Sequence, residues 1–346
     1  MTYKNILIVK LSAIGDVIHA LPVAHALKQT YPAAHITWVV EKTAYDLLTS
    51  NPDIDEIIIF DKPKFKSLAG LLANGYKFSQ ELKSRQFDLA IDLQGLFKSA
   101  AISYLSGAPK RLVYCNAREL SRLVGQRICG EHEQGHVVDR YLDVARHLGC
   151  TVDEVLFPIS ITESEIQKTV AIANHVGLRL ENPYIVLAPG TNWPSKCWPP
   201  IHFAKLADKL YDDHIIPVII GGPNDQRLAR EIAAHTQVPP IDLTGKTSMK
   251  QLAYIIKKSQ AFVGGDTGPM HLAVAVGAKV VALFGPTDPK RNGPYGQNHK
   301  VLLAPHSCQG CWQRKCPKNS DCLASISADT VFTAVQEEVG KYRIME

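Results

Sequence analysis

The sequence predicts an α/β protein made of two doubly wound, Rossmann-like domains, on three observations. Short β-branched apolar runs recur without polar alternation, so both faces of each sheet are expected to be covered by helices. Helical patterns of about 10–15 residues separate these runs, which is the grammar of parallel βαβ units. The whole cycle occurs twice, on either side of a join near 151–183.

In the first half the expected strands are 5–9 (NILIV), 35–40 (HITWVV), 56–60 (EIIIF), 88–92 (DLAID) and 111–114 (RLVY). Their β-branched and aromatic density suits a pleated, buried surface. Helical spacing fills 17–30, 41–50, 66–84, 96–105 and 138–149. The second half repeats the pattern with strands at 184–188, 215–220, 261–264, 279–284 and 300–303. Its helices are expected at 200–212, 224–236, 248–258 and 268–276, with a last one at 327–341 that no strand follows. The join starts with a Pro-containing strand in FPISITESEIQ, passes a Thr/Ser/Glu helix-start signal and ends at Asn182–Pro183. The expected boundaries are a first domain over 1–165, a linker over 166–183, a second domain over 184–326 and a terminal helix over 327–346. Open α/β sheets bind ligands at the carboxyl ends of their strands, so the two domains are expected to face each other across a shared cleft.

Composition narrows the function classes. The 346 residues suit two domains, and 46% apolar with 21% charged residues is ordinary globular usage. A net charge of +5 is too mild to argue for nucleic-acid binding. No apolar run approaches the roughly 20 residues needed to cross a bilayer. The N-terminal stretch reads as a buried strand and not a signal peptide, so a cytoplasmic protein is expected. Of eight cysteines, Cys115, Cys129, Cys150 and Cys197 are scattered and read as small buried hydrophobes. Cys308, Cys311, Cys316 and Cys322 follow C-x2-C-x4-C-x5-C. They could hold a structural zinc; reduced thiols or a labile disulfide are the alternatives. Four thiolates leave no open position for a catalytic zinc.

Three turns carry candidate chemistry. In KLSAIGDVIH, Gly15 permits a sharp turn and Asp16 stands at a helix start, where a helix cap alone would also explain it. A single glycine is not a dinucleotide fingerprint. In GGDTGPMH, from Gly264 to His271, small residues open a helix whose backbone N–H groups suit a phosphate, with Pro269 in the first turn. The competing reading is a tight turn capped by Asp266 or Thr267 beside a packed His271. The Gly-bearing turns at 220–225 and 284–289 follow strands of the same half. The loop from Pro189 to Trp198 sets Lys196 on a rigid Pro- and Trp-bearing segment, where an ammonium would neutralise charge growing on a leaving diphosphate. Thr244–Ser248 imitates the end of a Walker A loop, but position 240 is Pro and the first glycine is missing. Basic residues cluster at Lys62–Lys66 and again at Lys110, Arg111, Arg118, Arg122 and Arg127. Such a run is either a solvated face or a site for carboxylates and phosphates.

Four blocks (ILIVKLSAIGDVIHALP, IDLQGLFKSA, the Pro189–Trp198 loop and GGDTGPMHLAVAVGAKVVALFGPTDP) resemble the bacterial lipopolysaccharide heptosyltransferases of inverting glycosyltransferase family 9. The likeness runs from the first strand through the final helix. WVVE and IDLQGLFKSA lean toward heptosyltransferase I, while the Cys-rich segment more resembles heptosyltransferase II. The resemblance implies a GT-B fold, with an acceptor-binding first domain and a donor-binding second one. It implies metal-independent, inverting transfer of heptose from ADP-L-glycero-β-D-manno-heptose to the Kdo inner core of lipid A, without a cofactor. Residue by residue, Asp16 matches the catalytic base and Lys196 the lysine that holds the diphosphate. Asp266, Thr267, Gly268 and His271 match the D-T-G-x-x-H donor motif. Thr191, Asp225 and Thr247 complete the expected donor contacts. Lys62, Lys64, Lys66, Lys98 and Arg118 match basic positions that would meet the acidic acceptor. A lipid acceptor further implies peripheral contact with the cytoplasmic face of the inner membrane. Heptosyltransferase II, another family 9 member, or a non-catalytic nucleotide- or polyanion-binding protein are the alternative readings.

Overall fold

The computed structural model describes residues 2–65, 67–119, 121–318 and 321–343, and divides into two compact units, Met1–Ser160 and Ile161–Glu346. The first unit holds strands β1 (Asn5–Val9), β2 (His35–Val40), β3 (Glu56–Ile59), β4 (Leu89–Asp92), β5 (Lys110–Tyr114) and β6 (Gln126–Ile128). Its helices are α1 (Ile14–Thr30), α2 (Lys42–Leu48), α3 (Leu68–Lys83), α4 (Phe97–Leu105), α5 (Ser121–Val124) and α6 (Val137–His147). The second unit opens with α7 (Glu163–His175) and continues with β7 (Tyr184–Ala188), α8 (Pro200–Asp212), β8 (Ile216–Ile219), α9 (Gln226–Ala233), β9 (Ile241–Asp242) and α10 (Met249–Lys258). It ends with β10 (Ala261–Gly265), α11 (Gly268–Ala275), β11 (Val280–Phe284), α12 (Pro289–Asn292), β12 (Lys300–Leu303) and α13 (Ala328–Arg343).

Each unit carries one six-stranded parallel sheet. The orders are β3-β2-β1-β4-β5-β6 and β12-β11-β10-β7-β8-β9, so both follow the doubly wound 3-2-1-4-5-6 plan. The order reverses direction between β1 and β4 in one sheet and between β7 and β10 in the other. Register places Val9 opposite Asp92 and Ala188 opposite Gly264. The central strands bury both faces: Ile6 to Val9 and Tyr184 to Leu187 are fully inaccessible. Burial is worth about 1.5–3 kcal/mol for each large aliphatic side chain, which is why these strands read as unbroken apolar runs. Polar and glycine-bearing loops are thereby left to the strand ends.

The structure departs from the sequence reading in four places. The expected linker over 166–183 is largely helix, and the unit boundary falls earlier, after Ser160. Thr162 and Glu165 form a capping box, the Glu165 carboxylate accepting the Thr162 N–H at 2.7 Å. Glu165 also faces the fully buried Lys250 ammonium at 3.5 Å, which fastens α7 to α10. Edge strands β6 and β9 were not expected, because three and two residues with polar members make no apolar run. The helix after β1 starts at Ile14, before the expected 17, which places Asp16 inside its first turn. Finally, Cys115 and Cys129 are joined by a disulfide, contrary to the expected free thiols. They lie at the ends of β5 and β6, fourteen residues apart in the chain, where adjacent parallel strands bring them together. Among the described residues, no helix is long and apolar enough to cross a membrane.

Candidate active site

Chemistry-bearing side chains gather at the strand ends beside both reversal points. In the second unit, the loop after β7 and the turn after β10 meet through charge. Lys196 Nζ donates to Asp266 Oδ2 at 2.6 Å and to the Asp266 carbonyl at 3.3 Å. On its other oxygen, Asp266 faces His271 Nε2 at 3.3 Å. Asp266 and His271 are buried and Lys196 nearly so. Burial alone would raise the Asp266 carboxyl, but the hydrogen bond and charge of His271, then those of Lys196, bring it down to about 2. The pair is therefore an ionised carboxylate that fixes an ammonium and an imidazole on its two sides.

Local structure explains why these residues converge. Thr191 Oγ1 accepts the Trp193 N–H at 2.9 Å and donates to the Trp193 carbonyl at 2.8 Å, tightening the loop ahead of Pro194. Lys196 then lies over the Trp193 ring, 4.5 Å from its centroid. A Cβ on Gly265 would sit 3.0 Å from the Lys196 carbonyl, so a side chain there would push the lysine loop back by a few tenths of an ångström. Thr267 is the N-cap of α11 but gives the helix no side-chain cap; its hydroxyl turns to the Gly265 carbonyl at 3.3 Å. Pro269 has no N–H and the Met270 and His271 N–H groups turn to the Thr267 carbonyl, so the helix start offers an anion the Gly268 N–H and its positive dipole end.

Two expected donor contacts have local work. Asp225 Oδ2 accepts the Gly222 N–H at 2.8 Å, and its carboxylate packs against the Cα atoms of Gly190 and Gly221, where neither glycine could carry a side chain. Thr247 is half-buried in the turn between β9 and α10. The lookalike Walker segment is occupied by its own turn, with Lys246 Nζ donating to the Asp242 carbonyl at 2.6 Å.

In the first unit Asp16 occupies the third position of α1, half-buried, with Oδ2 accepting the Ala13 N–H at 3.1 Å. The turn before it is held by residues the motif reading passed over. Gln94 Oε1 accepts the N–H groups of Leu11 and Ser12 at 3.0 and 3.1 Å. Lys10 is buried, donating to the Leu93 carbonyl at 3.0 Å and to the Tyr141 hydroxyl at 2.8 Å. Tyr141 packs edge-on against Tyr114, whose hydroxyl is pushed up to about 12 by burial foremost. Buried Asp92, at the tip of β4, gathers the Gln94 and Gly95 N–H groups and the Ser99 and Ser121 hydroxyls. Burial raises its carboxyl while these four donors pull against the rise. A lysine ending an apolar strand and a glutamine two residues past another were the available signals, since neither is an ordinary strand-end residue.

The basic positions are dispersed. Lys62, Lys64 and Arg118 are exposed, and Lys64 pairs with Asp61 at 3.1 Å. Lys98 is already paired, with Glu41 Oε1 at 2.8 Å. Lys66 lies outside the described residues. The Arg118 N–H donates to the Gly95 carbonyl at 2.8 Å, which ties its loop to the end of β4.

Two doubly wound sheets in one chain, with a fixed lysine beside an uncapped helix start at one reversal point, are the plan of the GT-B fold, on which nucleotide-sugar glycosyltransferases are built. The family model for glycosyltransferase family 9 (heptosyltransferase) matches residues 75–320. Lipopolysaccharide heptosyltransferase 1 of Escherichia coli K12 is 30% identical over 315 residues, 87% of this chain and 94% of that one. Lipopolysaccharide heptosyltransferase 2 of the same strain is 28% identical over 309 residues, 86% and 87% of the two chains. The crystal structure of a family 9 glycosyltransferase from Veillonella parvula superposes with a TM-score of 0.86 at 26% identity, covering 98% of each chain. E. coli heptosyltransferase WaaC with ADP gives 0.74 at 26% identity, covering 96% of this chain and 99% of that one. The chain belongs to glycosyltransferase family 9, the heptosyltransferases.

Proposed function

We propose that the enzyme transfers L-glycero-D-manno-heptose from ADP-heptose to the Kdo inner core of lipid A, with inversion. The observation that carries the donor half is the Lys196–Asp266–His271 group beside the uncapped start of α11. Asp266 takes two of the three ammonium donors of Lys196, so a diphosphate oxygen takes the third. The helix start receives the remaining phosphate charge, as oriented N–H groups do for anions elsewhere. The ADP bound by the WaaC relative supports this choice of nucleotide.

For the transfer, Asp16 takes the proton from the attacking Kdo hydroxyl. With Oδ2 engaged by the Ala13 N–H, Oδ1 is the receiving oxygen. The hydroxyl oxygen bonds to the anomeric carbon as the bond from that carbon to the diphosphate breaks. The electron pair leaves with ADP, whose growing charge Lys196 and the α11 start neutralise. Exposed Lys62, Lys64 and Arg118 meet the acceptor's carboxylate and phosphates, and a lipid acceptor brings the enzyme to the cytoplasmic membrane surface. Lys98 contributes by releasing Glu41.

A second reading, transfer to an already heptosylated core, has its own support. The type 1 and type 2 relatives are nearly equidistant, at 30% and 28% identity, and in sequence the Cys-rich segment more resembles type 2. One assay separates them: ADP release from ADP-heptose with Kdo2–lipid A or with its mono-heptosylated form, both with chelator present. Turnover on the first alone supports the proposal, and turnover on the second alone replaces it.

A further inference from the structure

The Cys-rich segment between β12 and α13 plays no part in the transfer, yet its surroundings are specific. Cys308, Cys311, Cys316 and Cys322 all line one cavity of about 110 Å³, together with His306 and Ser195. Cys308 and Cys311 are exposed, and Cys316 and Cys322 only partly covered. Cys308, Cys311 and Cys316 therefore fill no core, the usual lot of a free cysteine, while Cys322 is partly buried against the core of the second unit. No disulfide joins them, although Cys115 and Cys129 are joined. Arg314, Lys315 and Lys318 stand within the same fifteen residues, a charge complement for a group of thiolates.

The segment is also clamped to the donor loops. The Ser195 N–H donates to the Arg314 carbonyl at 3.3 Å and its hydroxyl to the Gln313 carbonyl at 2.7 Å. The Arg314 guanidinium lies over the Trp193 ring that Lys196 also covers. The Gly310 and Trp312 N–H groups donate to the Gly285 and Pro286 carbonyls, in the loop after β11. A Cβ on Gly285 would lie 2.7 Å from Cys322 Sγ, so that loop is glycine where the sulfur packs.

We propose that Cys308, Cys311, Cys316 and Cys322 bind a thiophilic divalent cation, zinc foremost, and that the metal braces the Lys196 loop of the donor site. Four thiols lining one cavity, two of them a C-x2-C pair, supply the donor set that tetrahedral zinc takes. Binding drives four thiol protons into solvent and leaves a net charge of −2, which Arg314, Lys315 and Lys318 offset. No three of the four sulfurs lie within 4.8 Å of one another, whereas Zn–S bonds of about 2.3 Å require closer approach, so the loop tightens as the ion enters. That tightening fixes the Gln313 and Arg314 carbonyls, through them Ser195 and Trp193, and through these Lys196. The metal is structural: it touches no reacting atom, and turnover proceeds in chelator while the site stays loaded. The metal site is independent of the proposed function; only the effect on ADP binding rests on it.

Full-length protein purified in reductant without chelator is expected to carry about one zinc per chain by elemental analysis. Growth on cobalt should give thiolate-to-cobalt charge-transfer absorption, and an organomercurial should release the ion as four thiols react. Cys316→Ser with Cys322→Ser should abolish binding, while Cys115→Ser with Cys129→Ser should leave it intact. That control matters because Cys115, Cys129 and Glu133 form another group of potential ligand atoms. Removing the metal should weaken ADP binding roughly tenfold, since small misplacement of a positioning group costs up to about a hundredfold in rate. Zinc should then restore it. Absence of metal and of cobalt uptake, retention of metal in the Cys316/Cys322 double variant, or two disulfides in reduced protein would each overturn the site. Metal bound as expected with unchanged ADP affinity overturns the brace. If Lys196→Ala also leaves ADP affinity unchanged, the fault lies in the proposed donor site and not in the metal.

Discussion

The charge of Asp266 organises the donor group, because one buried carboxylate fixes both Lys196 and His271. On the proposed role of its ammonium at the diphosphate, before and during departure, Lys196→Ala should weaken ADP-heptose binding and turnover together. Isothermal titration and steady-state rates measure the two halves, and a loss confined to KM would reassign the lysine to uniform binding. Asp16 calls for the opposite pattern. Asp16→Ala should cost about 10²–10⁴-fold in kcat, the usual worth of a general base, with donor affinity unmoved. The Ala13 N–H then loses its acceptor, so a thermal melt is needed alongside to separate a frayed α1 from a lost base. Asp266 also predicts an acid limb. Its folded pKa of about 2 lies below the 3.8 of an unfolded chain, so it favours the fold above pH ~4. That contribution, on the order of 2 kcal/mol, is lost as the pH falls from 4 toward 2. In Asp266→Asn, urea midpoints should lack this part of the acid decline; an unchanged profile would mean that the carboxylate is not held by Lys196 and His271.

Elements that bury apolar runs were legible in the sequence, and those built on polar contacts were not. The central strands announce themselves because both faces are dry, so no residue in ILIV or YIVL has an alternative. β6 and β9 have no such signal; they exist because a neighbouring strand offers its edge. The loop after β10 was readable as a helix start with small residues, but its partnership with Lys196 joins positions 70 residues apart. Lys10 and Gln94 escaped notice for the same reason, since these partners sit 82 or more residues away. Helix α7 was half visible: the Thr/Ser/Glu start signal was seen, yet its sparse apolar face looked like a linker. Its stability should rest on the capping box and Lys250. Thr162→Ala should cost about 1 kcal/mol, the usual worth of an N-cap. Glu165→Ala should cost more, about 2 kcal/mol, because it also takes a carboxylate from a buried ammonium. Equal urea midpoints for the two variants would show that the Lys250 contact contributes nothing.

At the scale of the molecule, one strand order is used twice for different chemistry. Both sheets follow 3-2-1-4-5-6, and in both the loops proposed to be functional leave the strands flanking the reversal. What differs is the side chains placed there: a carboxylate on a first helical turn in one unit, a lysine–carboxylate–histidine group in the other. If the donor site belongs to the second unit alone, ADP should bias that unit's local stability. Ligand at a hundred times Kd stabilises the binding-competent fold by about 2.7 kcal/mol. Hydrogen exchange resolves where this is felt, because each amide reports the opening of its own neighbourhood. With ADP, exchange should slow at 189–197 and 265–271, the lysine loop and α11 start proposed to receive the diphosphate. The turn at 10–16 and the β4–α4 turn at 93–97, built around Lys10, Gln94 and Asp16, should keep their rates. Slowing at those first-unit turns to the same degree would mean that the nucleotide is held by both units, and the assignment of the whole donor site to one sheet would fall.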